Sequence, residues 1–148
     1  MRILICSTGK ERIALDCKEI REILPFVGLK SAMNVSPFIA GLLDYHGTLI
    51  PVIDLSRLLH GRESCSRFST RILLANFNSK VVGVIAENAA DITSIRESDI
   101  QKPLNSLDSD ESISIICREN EKIQLLSIAQ LLKQVDPAQI FEAGGVAP

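Results

Sequence analysis

The chain has 148 residues, 46% of them hydrophobic, with six prolines and eight glycines, which fits one globular domain with a core large enough to be stable alone. Sixteen basic and 18 acidic residues leave a formal charge of −2, and no stretch gathers Lys or Arg with aromatics, which argues against a nucleic-acid partner. The opening MRILICSTGK has too short an apolar run for a signal peptide, and no window reaches the roughly 18 apolar residues that span a bilayer. A cytoplasmic protein is the expectation.

In chain order, β-branched runs of strand length dominate. They cover Arg2 to Ser7, Arg12 to Asp16, Thr48 to Ile53, Thr70 to Phe77, Lys80 to Ala86, Ile113 to Cys117 and Lys122 to Leu126. Thr8-Gly9-Lys10, Asn78-Ser79 and Arg118-Glu119-Asn120-Glu121 are turns short enough to close antiparallel hairpins. Helix is predicted over Cys17 to Leu24, where Ile20, Ile23 and Leu24 fall at helical spacing and Pro25 stops the run. Ser36-Pro37 opens a short helical turn through Leu43, and Ser127 to Lys133 places Ile128, Leu131 and Leu132 on one face. His60 to Ser69 and Pro103 to Glu111 read as surface loops, and the tail from Val135 loses periodicity. Parallel crossovers would need helices of about a dozen residues between most strands, so a mainly-β barrel architecture is favoured.

Cys6, Gly9 and Arg12 satisfy the Cys-x-x-Gly-x-x-Arg spacing with which cysteine-dependent phosphatases hold a phosphate, and Asp136-Pro137 offers the late general acid of the low-molecular-weight class. In those enzymes the loop runs into a helix that completes the anion nest. Here Arg12-Ile13-Ala14-Leu15-Asp16 alternates like the returning arm of a hairpin. The bland reading makes Gly9 a turn residue, Arg12 an exposed strand start and Cys6 a packed thiol. Four separated cysteines (Cys6, Cys17, Cys65, Cys117), with only His46 and His60 to help, write neither a zinc site nor a disulfide framework. Asp44, His46 and Asp54 could suggest acid/base chemistry or a metal, but Asp44 and His46, two apart around Tyr45, read as a polar turn, and glycine-rich nucleotide loops and nucleophile elbows are absent. No cofactor, metal or complete catalytic centre is expected. Ile72-Leu73-Leu74-Ala75 and Val81-Val82-Gly83-Val84-Ile85 are apolar on both alternating faces, so one face should meet a core and the other a second barrel, a helix or a partner.

The stretch PFIAGLLDYHGTLIPVIDL, Pro37 to Leu55, resembles the signature of the CheW-like domain family. That signature runs proline, aromatic, apolar, x, glycine, apolar, x, Asn-Leu-Arg-Gly, then an apolar strand with Pro-apolar-apolar-Asp-Leu. ERIALDCKEIREIL, VVGVIAEN and IQLLSIAQLL are similar to further family segments and occur in the family's order, from residue 1 to about 134. The resemblance implies two intertwined SH3-like five-stranded β-barrels with a few short helices over residues 1–134, followed by a tail, 135–148. It also implies a non-catalytic adaptor coupling chemoreceptor cytoplasmic tips to the regulatory domain of a CheA-type histidine kinase. By position it implicates Ile20 and Glu22 at a groove edge, Gly41 and Leu42 in its lining, and Ile72 and Val84 on facing strands. The chain departs from the pattern in having Asp44-Tyr45-His46-Gly47 for Asn-Leu-Arg-Gly, so a short imidazole stands where a guanidinium with five donors is usual. Ala89 likewise replaces a branched apolar residue, and together these departures imply a divergent adaptor.

Overall fold

A computed structural model describes residues 1–9, 11–32, 36–64, 69–101 and 113–135. Strands β1 (Arg2–Thr8) and β2 (Glu11–Asp16) form the first hairpin, with Gly9 at positive φ in its turn. A 3-10 turn, Cys17–Glu19, leads to β3 (Glu22–Pro25), and β4 (Ile39–Tyr45) and β5 (Thr48–Asp54) form a second hairpin. Helix α1 (Leu55–His60) follows, then β6 (Arg71–Phe77) and the long β7 (Lys80–Ser94). Strands β8 (Ile100–Gln101), β9 (Ile113–Arg118) and β10 (Glu121–Leu126) precede helix α2 (Ile128–Leu132).

Two barrels share β7. Its first half pairs antiparallel with β6 and parallel with β5, and its second half pairs with β1. The switch falls at a bulge: Ser7 faces Glu87 but Ile5 faces Asp91, and Asn88 adopts a positive φ of 49°. Barrel one thus comprises β1, β2, β8, β9, β10 and the end of β7, around Ile3, Ile5, Ala14, Ile95, Ile116 and Ile123. Barrel two comprises β3, β4, β5, β6 and the start of β7, around Leu43, Ile50, Val52, Ile72, Leu74 and Ile85. A third cluster fills the space between them: Leu4, Ile13 and Leu15 from barrel one meet Ile53, Leu73 and Val84 from barrel two, with α2 adding Ile128, Leu131 and Leu132. The doubly apolar strands are explained by this arrangement, since alternate side chains on β6 and β7 enter barrel two and the shared core.

Two helical expectations fail. Cys17 to Leu24 makes only one 3-10 turn before β3, because pairing with β6 sends Leu24 inward beside Ile72 and leaves Ile23 facing out. Pro25 suits the end of an edge strand as well as it suits a helix stop. Ser36 to Leu43 is a turn, with the Phe38 amide donating to Ser36 Oγ (3.3 Å), followed by β4. Helix α1 falls between the strand predicted to end at Ile53 and the loop predicted from His60, and takes His60 into its last turn; Asp54 caps it through Ser56 N and Arg57 N and Gly61 ends it in the left-handed conformation. The loop over Pro103 to Glu111 lies outside the described residues, as does Asp136.

Candidate functional site

Barrel two is closed along one seam by few contacts. Lys30, five residues beyond β3, exchanges two backbone hydrogen bonds with Leu42 of β4, each 2.8 Å. Gly41 makes this approach possible: a Cβ there would stand 2.7 Å from the Lys30 carbonyl oxygen and 2.9 Å from Leu29 Cβ. Farther along, the β4–β5 turn reaches back to β3. Tyr45 Oη donates to a Glu22 carboxylate oxygen, and Lys30 Nζ lies 3.7 Å from Asp44 Oδ2. The Glu22 hydrogen bond holds the Tyr45 phenol above its ordinary range, with slight desolvation and the carboxylate charge adding to it.

Ala89 is buried on β7, whereas the departures from the family pattern at Asp44, Tyr45 and His46 lie at the β4–β5 turn. His46 (φ 51°) and Gly47 (φ 86°) are its two central residues, the positive-φ pair of a type I′ hairpin, and Asp44 Oδ1 accepts from the Gly47 amide at 3.1 Å. The exposed His46 ring meets Tyr45 edge-on, with centroids 4.4 Å apart. A polar turn was expected for Asp44 and His46, and a polar turn is what they form.

The seven positions implicated by the resemblance take different places. Glu22 and His46 flank the seam at the surface, and Ile20 rests half-buried on the shared core. Gly41 and Leu42 are buried in β4, Leu42 only 4% exposed. Ile72 (0%) and Val84 (2%) sit in two different cores and present no side chain to solvent, because both faces of β6 and β7 are covered at these positions. What sequence reasoning missed is an outward row on the edge strand. Arg21, Ile23, Pro25 and Val27 are all exposed while Glu22, Leu24 and Phe26 turn in, and Ile23 and Val27 are 36% and 45% exposed. No period-two alternation announces it, because residues 23–27 are apolar throughout, and the helical spacing at 20, 23 and 24 points away from a strand.

The phosphatase constellation does not assemble. Cys6 is buried in the shared core, its thiol pushed up to about 12 by burial and then by the Glu87 carboxylate, so it is no thiolate. Arg12 pairs with Glu121 on β10, and strand β2, not a helix, follows the turn. Among the described residues no three His, Cys, Asp or Glu side chains are placed to hold a metal, and no helix is long and apolar enough to cross a membrane.

A mainly-β scaffold of two barrels joined by a shared strand and a shared core is the class of protein this geometry defines. The family model for the CheW-like domain matches residues 2–136, and the chain belongs to that family. It is 28% identical over 126 residues to the chemotaxis protein CheW of Bacillus subtilis strain 168, covering 85% of this chain and 80% of that protein. It is also 28% identical over 130 residues to protein FrzA of Myxococcus xanthus, covering 84% and 81%. The fold matches the crystal structure of scaffolding protein TtCheW from Thermoanaerobacter tengcongensis with a TM-score of 0.75, at 22% identity over 88% of this chain and 86% of that one. Members of the family are non-catalytic scaffolds, and this chain is accordingly a coupling adaptor of the chemotaxis type, not an enzyme.

Proposed function

We propose that the outward row of β3 receives the cytoplasmic tip of a chemoreceptor, and that the chain couples it to the regulatory domain of a CheA-type histidine kinase at the cytoplasmic face of receptor arrays. The observation that carries the reading is the exposure of Ile23 on edge strand β3 and of Val27 two residues beyond its end, in line with Pro25, with Ile20 at the rim of the shared core. Exposed branched side chains aligned on one face give a partner helix an apolar stripe to lie against. Glu22 and His46 border this row, Gly41 and Leu42 hold the seam behind it, and Ile72 and Val84 support it from within. His46 lacks the paired donors of the family's Arg, so the kinase contact is expected to be weaker than in members that carry Arg. Coupling then means that the two partners are held in one geometry whose equilibrium the receptor's ligand state biases.

The test is a calorimetric titration with a soluble tip fragment of a chemoreceptor from the same genome. Saturable binding is expected, weakened at least about tenfold, equivalent to about 1.4 kcal/mol, by Ile23→Asp with unfolding unchanged. Absence of binding to every receptor tip and kinase regulatory domain of that genome would refute the proposal. His46→Arg is expected to strengthen binding to a kinase regulatory domain, and an unchanged affinity would show that the missing Arg is not limiting.

A further inference from the structure

The chain leaves barrel one for barrel two through a short crossover, Asp16 to Arg21, that has little structure of its own. Asp16 Oδ1 accepts from the Lys18 amide (3.0 Å), the Ile20 amide donates to the Cys17 carbonyl (3.1 Å), and the Arg21 amide donates to Leu74 (2.7 Å) as β3 begins. The Glu19 side chain reaches instead to the other end of the sequence. Its Oε2 accepts from Ser127 Oγ (3.1 Å) and the Ala129 amide (3.0 Å), and its Oε1 accepts from the Ile128 amide (3.3 Å). These are the first amides of α2, which have no partner inside so short a helix. Helix α2 buries Ile128, Leu131 and Leu132 in the shared core, the same core on which Ile20 rests. One carboxylate therefore joins the residue preceding Ile20 to a helix more than a hundred residues away.

We propose that Glu19 is a positioning residue of the docking surface: by pinning the crossover to α2, it fixes where Ile20 and the β3 row stand relative to barrel one. Without the joint, the crossover keeps its local turn bonds and the Arg21–Leu74 hydrogen bond but loses its polar tie to α2. Glu19 need not touch the partner for this. The inference rests on the β3 row being the docking surface, and its test separates the two.

Two readouts are taken on the full chain for wild type, Glu19→Gln and Glu19→Ala. The first is amide hydrogen exchange without partner. Protection of Ile128 and Ala129 is expected to fall about tenfold or more in Glu19→Ala and less in Glu19→Gln, while Ile13 to Leu15 in β2 keep theirs. The second is affinity for the same receptor tip fragment, expected to fall about five- to twentyfold in Glu19→Ala and to be partly retained in Glu19→Gln. Asp54→Ala serves as a control for general destabilisation. Asp54 caps α1 and accepts from the Ser64 amide and hydroxyl, bonds that include neither the crossover nor α2, so its loss should lower stability and leave affinity unchanged. Unchanged α2 protection in Glu19→Ala overturns the proposal. So does unchanged affinity when Ile23→Asp weakens binding, or an equal loss in Asp54→Ala. Should Ile23→Asp also leave affinity unaltered, the docking row fails, and α2 protection alone then decides whether Glu19 pins the crossover.

Discussion

Gly41→Ala tests whether the barrel-two seam is closed by backbone proximity. A methyl at that position would lie 2.7 Å from the Lys30 carbonyl oxygen and 2.9 Å from Leu29 Cβ, atoms that cannot swing aside as a flexible side-chain end could. Relief requires the 29–30 segment to retreat, which breaks both Lys30–Leu42 hydrogen bonds. Overpacking of this kind costs about 1–3 kcal/mol, and each backbone bond lost costs about 1 kcal/mol. A destabilisation of about 3–5 kcal/mol is therefore expected, which at about 2–4 °C per kcal/mol lowers Tm by about 10 °C. Urea unfolding gives the free energy directly. Gly28→Ala is the matched control, because a Cβ there meets nothing within 4 Å, and it should fall within about 0.5 kcal/mol of wild type or slightly above it. If Gly41→Ala lies within about 1 kcal/mol of that control, the seam is not held as described.

Tyr45 is the chain's one tyrosine, and there is no tryptophan, so ultraviolet titration of the phenol reads this residue alone. Glu22→Gln removes the charged acceptor that raises it, and the midpoint is expected to move down toward the ordinary value of 10.0; an unmoved midpoint would dismiss the Tyr45–Glu22 contact in solution. Cys6 predicts an alkaline effect. Its thiol ionises near 9.0 when unfolded and near about 12 when folded, so between those values the native state binds more protons and stability falls as pH rises, by up to about 1.4 kcal/mol per pH unit. The stability advantage of wild type over Cys6→Ala should accordingly shrink between pH 9 and 11, and a difference independent of pH would contradict the buried-thiol reading.

Elements whose sequence pattern and tertiary environment agree were legible. The hairpins at Gly9, Asn78-Ser79 and Glu119-Asn120 follow from turn residues between alternating runs, and α2 from Ser127 followed by an apolar face. Cys17 to Leu24 is ambiguous because Ile20, Ile23 and Leu24 satisfy helical spacing, while the continuous apolar run at 23–27 shows no alternation to mark a strand. Only the bonds to β6 choose between the two. The same ambiguity hid the outward row proposed for docking, since a helix would have put Ile23 and Leu24 on one face. Ile72 and Val84 are implicated only through the resemblance, by position on facing strands; that both faces of those strands are apolar does not by itself say whether a second barrel or a partner covers the outer face. Glu19 could not be found at all from local pattern: its partners lie more than a hundred residues away.

Strand β7 gives residues 80–86 to the ladders of barrel two and most of residues 87–94 to that of barrel one, without a linker between. Neither barrel can be cut out as a free-standing module, because either cut would leave the other with a missing wall and an open edge. Nor can the strand slip by one residue on one side alone, since every side chain on the far side would change faces. The molecule is thus an indivisible unit of recombination and of unfolding: denaturation should be a single cooperative event, and a chimera exchanging one barrel between relatives must carry the whole of β7 or place its junction at the Glu87–Ala90 bulge, where the pairing is already interrupted.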